Sequence, residues 1–494
     1  MAAEHVDVLI VGAGLSGIGT AAHLARAVPD ASVMILESRG VSGGTWDLFR
    51  YPGIRTDSDA HTYGYSFKPW KRDTTLAPAA DILDYIRDTA REYSLDSKIR
   101  YDHRVSSASW SSDDARWTVR AVRTDETTGA EEPVTLTAGW LFGATGYFRY
   151  DRGYTPDFAG VDDFAGQIVH PQDWPVDLDY EGKQVVVIGS GATAVTLIPA
   201  MADSVAHITM LQRSPTYVMP LPSEDRVGGL LRRVLDDDRA YALTRRKNIA
   251  QSGAVYKLFQ RFPQQARGLL RKAAVSQLPE GYDVDAHFSP SYDPWDQRLC
   301  VAPDGDLFRS ISEGKASVVT DTIDRFVPEG VRLASGRVLP ADVIVTATGL
   351  DLMVFGGIEL DVDGAPVDVT QCLAYKGAMV SNVPNFAFAI GYTNASWTLK
   401  VDLVAEFLGR VLLEMRRRGA DTVTPVLADP NVPTRPLLDF GAGYVQRALD
   451  RLPRAGMSEP WGLPMDYRDD VRMLRKDPLL DGALRFTRRR GANS

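Results

Sequence analysis

Two stretches of the chain carry one pattern, an apolar run, a glycine turn and a second apolar run. The first is Val6-Asp-Val-Leu-Ile-Val-Gly-Ala-Gly-Leu-Ser-Gly17, followed by the alanine-rich stretch Ile18 to Ala27. The second is Gln184-Val-Val-Val-Ile-Gly-Ser-Gly-Ala-Thr-Ala194, followed by Val195 to Met201. Apolar runs of this kind suit strands covered on both faces of a parallel sheet. Strand, glycine turn and helix, twice over, predict an α/β fold with two Rossmann-like dinucleotide-binding domains. Residues 221–290 read as a helical insert. Arg123 to Pro133 reads as a hairpin tip, and residues 151–180, rich in Asp, Pro and Gly, as an irregular connector. Strands return at Ala316 to Thr320, Gly330 to Leu333 and Ala341 to Leu350.

The first turn is a full GxGxxG, with Gly12, Gly14 and Gly17 around Ser16. Its first glycine makes the turn, the second admits a pyrophosphate and the third lets helix and strand close up. The helix start then offers free N–H groups to the phosphates. The next strand ends in Glu37, whose carboxylate can accept ribose hydroxyls. The second turn, Gly189-Ser190-Gly191-Ala192-Thr193-Ala194, has alanine in the third place, which the motif permits. Its following strand ends in Gln212-Arg213-Ser214. A guanidinium there can hold a 2′-phosphate in a forked contact, which selects NADPH over NADH. Two nucleotide sites with opposite ribose chemistry suggest a hydride relay from NADPH to a flavin.

Composition excludes other classes. With 494 residues, 44% apolar and 24% charged, the chain is long enough for several cored domains. A net charge of −9 disfavours nucleic acid as a partner. Neither a secretory leader nor an apolar run of membrane-spanning length is visible, so a cytoplasmic enzyme is expected. Cys300 and Cys372 stand too far apart for a disulfide reductase, and no His/Cys cluster has metal-ligand spacing. One stretch runs against the charge balance. Arg226 to Lys272 holds twelve Lys/Arg and three Asp, which suits solvated helix faces, or else a surface attracted to incoming NADPH or, in a weak membrane-surface contact, to anionic lipid.

Further motifs narrow the chemistry. Phe164-Ala-Gly166-Gln-Ile-Val-His170-Pro-Gln-Asp-Trp174-Pro175 spells FxGxxxHxxxWP, the fingerprint of type I Baeyer–Villiger monooxygenases. Gly43-Gly44-Thr-Trp46-Asp-Leu-Phe-Arg-Tyr51-Pro52-Gly53-Ile-Arg-Thr-Asp57 matches that family's second signature. Gly143-Ala-Thr-Gly146 and Ala347-Thr-Gly349 match its ATG elements. Nearly the whole chain resembles this family. Trp295-Asp-Gln-Arg-Leu-Cys300 and Gly391-Tyr-Thr-Asn-Ala-Ser-Trp-Thr-Leu-Lys400 bring it nearest the ethionamide-activating subgroup.

The resemblance implies an FAD domain at 1–147 and 381–494, an NADPH domain at 161–215 and 300–380, and a helical insert at 216–299. It implies NADPH- and O2-dependent conversion of ketones to esters or lactones through a flavin C4a-peroxide. Thioethers and thioamides are further expected substrates. Arg298 matches the family's catalytic arginine, and Asp57 the acid that steadies it. A cation fixed beside developing negative charge is usually the largest catalytic contribution. Gly44, Thr45, Trp46, Asp47, Arg55, Asp57 and Val105 match positions on the flavin side. His170 takes a structural or domain-motion role. Two departures matter: Gln297 stands where relatives often carry a lysine for the 2′-phosphate, and the region after Pro425 is shorter. The alternative is a flavin-containing N- or S-monooxygenase, which shares both cradles but not Trp174-Pro175.

Overall fold

The apolar runs become the centres of two sheets. The computed structural model describes residues 3–297 and 299–489. In the first sheet Glu4–Val11 lies between Val33–Leu36 and Glu131–Gly143, parallel to both. Val8, Leu9 and Ile10 are wholly buried, as an unbroken apolar run demands. Ile99–Arg100 extends this parallel core beyond Val33–Leu36. On the other side the sheet turns antiparallel through Arg116–Thr124 and His103–Ser111. The polar stretch around residue 128 is the tip of that meander, as its composition suggested.

The second sheet is wholly parallel, in the order Ala316–Thr320, His207–Gln212, Gln184–Ile188, Val343–Thr346, Gln167–Val169. A three-stranded antiparallel sheet from Ile323 to Pro340 flanks it. The chain returns to the first lobe earlier than residue 381. Glu359–Val362 pairs with His103–Ser111, and Phe386–Phe388 with the end of Glu131–Gly143. By strand pairing the return to the first sheet follows Val343–Thr346, the last strand of the second sheet.

The insert grows from a two-stranded parallel ribbon, Tyr217–Leu221 against Leu299–Pro303. Between them run helices Arg226–Val234, Asp237–Arg261, Pro263–Val275 and Val284–Phe288. Asp225, Asp236 and Asp283 cap three of these by accepting backbone N–H groups, and Pro263 opens the fourth. The insert is moored to the first lobe through buried charge. Arg245 Nη2 lies 2.9 Å from Asp402 Oδ2, and Asp402 Oδ1 lies 2.8 Å from His23 Nε2. Arg245 Nη1 donates to the carbonyls of His61, Thr62 and Gly64. Asp402 sits on the long helix Trp397–Arg418, and His23 on Leu15–Ala27 beside it. Among the described residues no helix is long and apolar enough to cross a membrane.

Candidate functional site

Each cradle is a turn that only glycine can make. Gly12 has φ +106°, and a Cβ there would stand 2.5 Å from the Ala144 carbonyl oxygen. A Cβ on Gly17 would meet the Gly12 carbonyl oxygen at 1.8 Å, so helix Leu15–Ala27 packs directly on the turn. Gly14 caps that helix without a side-chain acceptor, which leaves its first N–H groups for a ligand. Gly189 repeats the arrangement at φ +134°, its Cβ point 2.3 Å from the Ala347 carbonyl oxygen. Gly191 caps Ala192–Met201, also without a side-chain acceptor, and nothing lies within 4 Å of its Cβ point. The two ATG elements thus serve as the backs of the two turns.

Both cradles open onto one cavity of about 1020 Å³. Gly14, Ser16, Gly44, Thr45, Trp46, Arg55 and Asp57 line it from the first lobe. Gly189, Ser190, Gly191, Ala192, Thr193, Arg213 and Ser214 line it from the second. The remaining sequence candidates lie behind the wall. Gly12 and Gly17 form the turn, Ala194 is fully buried beneath its helix, and Val105 packs in the core under the first sheet. Glu37 is buried, with Oε2 accepting the Ala13 N–H at 2.8 Å and Oε1 the Arg39 N–H at 3.0 Å. Burial pushes its carboxyl above the ordinary range, against those two hydrogen bonds and the Arg39 charge. Asp47 is also buried and is held by Arg39 at 2.6 Å and Arg87 at 2.9 Å.

Arg55 joins the lobes. Its Nη1 lies 2.8 Å from Asp306 Oδ2, at the head of helix Asp306–Ser312 in the second lobe. Its Nη2 is buried without a partner among the described residues, in a residue that lines the cavity. Such an orphaned donor fits a ligand carbonyl or phosphate oxygen. Asp57, two positions on, is exposed to the cavity. Trp46 donates to Tyr63 Oη at 3.0 Å, and burial pushes the Tyr150 phenol near Thr45 up to about 12.

On the opposite rim Arg213 is exposed and makes no ion pair among the described residues. The preceding Gln212 is turned inward onto the His287 carbonyl and Thr320. Arg298 lies outside the described residues. Its neighbours Trp295 and Gln297 line the cavity, with Trp295 at φ +74° and packed between Tyr256 and Phe259.

The fingerprint segment sits at the crossing between lobes. Gly166 packs against the Asp342 carbonyl, where a Cβ would meet it at 2.3 Å. His170 accepts the Gln172 N–H on Nδ1 at 3.1 Å, and Gly153 lies against its ring. Burial lowers the His170 pKa below its ordinary value, so the ring is neutral at physiological pH. Trp174 packs edge-on against Tyr180. One group of ligand-type side chains does assemble: Asp59, His61 and Asp225 bring ligand atoms within 4.8 Å of one another. Lys247 Nζ lies 2.7 Å from both Asp225 oxygens, so an ammonium already supplies positive charge there.

Some of the wall was not anticipated. Trp397 Nε1 donates to Ser16 Oγ at 3.0 Å and its ring stacks on Tyr147 at 5.0 Å. Arg447 lies over the Tyr154 ring at 3.4 Å, and Phe440 and Tyr444 line the same wall. Trp397 falls in the family-like stretch 391–400, so a signal existed. Residues 440–447 carried none.

Fold and site together define an α/β protein with two dinucleotide cradles around a shared cavity. Comparison with known proteins gives the family. The flavin-binding monooxygenase-like family model matches residues 61–245, and an NAD(P)-binding Rossmann-like domain model matches residues 10–72. The FAD-containing monooxygenase EthA of Mycobacterium tuberculosis is 52% identical over 487 residues, 98% of each chain. The probable FAD-binding monooxygenase AlmA of Acinetobacter baylyi is 46% identical over 488 residues, 98% of this chain and 97% of that one. The chain belongs to this family of FAD-containing monooxygenases. Among solved structures, an oxidised steroid monooxygenase bound to NADP superposes with TM-score 0.71 at 24% identity, over 85% of this chain and 88% of that one. A cyclohexanone monooxygenase in an open crystal structure gives 0.71 at 20% identity, over 86% and 90%. These two share the fold.

Proposed function

We propose that this chain binds FAD in the first cradle and NADPH in the second, and inserts one oxygen atom of O2 into a ketone. The product is an ester or a lactone. The second oxygen leaves as water, and NADPH supplies two electrons, so the reaction balances as ketone, O2, NADPH and a proton giving ester, water and NADP⁺. Thioethers and thioamides, which accept an oxygen atom on sulfur, are proposed as further substrates. The observation that carries the reading is that both cradles, each shaped for a pyrophosphate, open onto one cavity. A volume of about 1020 Å³ stands at the upper end of ligand pockets, as two dinucleotides require.

Bound FAD, once reduced, supplies the activation of O2. The protein's own residues bind, orient and stabilise charge. Glu37 fixes the Ala13 backbone at the first cradle, and Arg55 Nη2 offers a donor to the group held there. Arg213, exposed on the cavity lining, takes the 2′-phosphate, and Ser190, held by Thr216 at 2.8 Å, keeps the second turn in shape. Asp57 faces the cavity, where it can orient a cationic side chain. Arg298 is assigned the cation that stabilises negative charge on the reacting oxygens. Among the described residues no lysine lines the cavity beside Gln297, which leaves Arg213 the larger share of phosphate recognition.

The test is a panel of linear, cyclic and aryl ketones incubated with the purified yellow protein and NADPH under air. Ester formation supports the reading. NADPH-dependent N- or S-oxidation without any ester would assign the chain to the N- and S-monooxygenases instead.

A further inference from the structure

The insert carries an outward face that the fold does not use. Eight of the fourteen exposed large hydrophobic side chains among the described residues lie between Val227 and Val275. Helix Pro263–Val275 already buries one apolar face, Ala266, Leu270 and Ala274, beneath the insert. A helix on a protein surface needs only one such stripe. Its opposite face nevertheless presents Leu269 and Val275, at 58% and 46% exposure. Leu258 and Phe262, one helical turn apart at the end of Asp237–Arg261, add 55% and 46%. Single exposed apolar residues are ordinary, whereas a group at helical spacing marks an interaction surface.

Charge selects the partner. From Arg239 to Pro279 the chain has nine Lys/Arg and no acid, in a protein of net charge −9. Lys257 and Arg271 are engaged by Asp466 and Asp285 from outside that stretch. Arg261 and Lys272, interleaved with the exposed apolar residues, make no ion pair among the described residues. Apolar side chains interleaved with cations on the outer faces of two consecutive helices fit the boundary of an anionic bilayer. The former enter the acyl region while the latter meet phosphate oxygens. We propose that the corner formed by Leu258, Arg261, Phe262, Leu269, Lys272 and Val275 docks the enzyme on anionic phospholipid surfaces.

The experiment is co-sedimentation of the full flavin-loaded chain with phosphatidylcholine vesicles, with and without phosphatidylglycerol. Binding is expected only where phosphatidylglycerol is present, and it weakens as salt screens the contact. Arg261→Gln with Lys272→Gln lowers vesicle affinity about five-fold per cation. Leu258→Ser with Leu269→Ser lowers it by tenfold or more, while flavin content and NADPH oxidation stay at the parent level in both variants. Equal binding to both vesicle types, no binding to either, or unaltered binding by both variants would overturn the proposal. So would a dimer, seen by light scattering, that the leucine variant dissolves without any vesicle binding by the parent. That result would give the face to a second copy of the chain.

Discussion

Gly12 and Ala144 approach so closely that a Cβ on the glycine would stand 2.5 Å from the alanine's carbonyl oxygen. Gly189 and Ala347 repeat the relationship at 2.3 Å in the second lobe. Each turn is therefore closed from behind by the strand that ends beside it, and its shape depends on a missing side chain. Gly189→Ala adds steric overlap to a backbone conformation at φ +134° that costs other residues about 1–3 kcal/mol. The expected outcome is a tenfold or greater rise in KM for NADPH with flavin content retained. Steady-state kinetics beside the absorbance of bound flavin reads both.

Arg213 lines the cavity beside the second cradle and makes no ion pair among the described residues. A charge-assisted hydrogen bond contributes about 1.5–3 kcal/mol, or ten- to a hundredfold in binding. Arg213→Ala raises KM for NADPH by that factor and leaves KM for NADH nearly unchanged. Comparing the two coenzymes in one preparation separates lost phosphate recognition from general damage.

Arg55 does two things at once, pairing Asp306 across the lobes and, from the cavity lining, keeping a buried nitrogen that has no partner among the described residues. Arg55→Ala costs about 2 kcal/mol of stability, less than the 3–5 kcal/mol of a fully buried pair because both groups keep some exposure. Adding Asp306→Asn recovers part of that loss, since the carboxylate is then no longer left uncompensated. Flavin retention falls in Arg55→Ala and holds in Asp306→Asn. Thermal unfolding and flavin release on dialysis check the two arms.

The parts legible in the sequence were those with a local cause. Val8 to Gly17 and Val185 to Ala194 declare strand, turn and helix through apolar runs and glycine spacing. The structure builds both as that pattern requires. The helical insert read at residues 221–290 holds the helices from Arg226 to Phe288. Long-range partners were not legible. Nothing near Asp402 announces that it pairs with Arg245, 157 residues away, and nothing near Tyr444 places it in the cavity. Glu37 shows the same limit. Its position at the strand end was readable, but its inward turn onto Ala13 and Arg39 depends on how the loop after it folds back.

The triad of His23, Asp402 and Arg245 carries a pH signature. Burial alone would push the Asp402 carboxyl up. The hydrogen bond from His23, and the His23 and Arg245 charges, outweigh it and hold the group below its ordinary value. A carboxyl lowered on folding stabilises the fold above its unfolded pKa of about 3.9, and that stabilisation is lost as pH falls through the folded value. Asp402→Asn is therefore less stable than the parent at neutral pH, and the gap between them narrows below pH ~4. Melting temperatures of both proteins from neutral pH downward test this; a gap independent of pH would remove Asp402 from the role.

In the proposed reaction, oxygen from O2 enters a ketone at the cavity shared by the two cradles. Its most direct measurement is mass analysis of the product formed from an open-chain ketone, NADPH and ¹⁸O₂, by the parent protein and by Arg298→Ala. The expected result is an ester carrying one ¹⁸O from the parent, and continued NADPH oxidation without ester from the variant. An ester without label, or a variant that makes labelled ester at the parent rate, would contradict it.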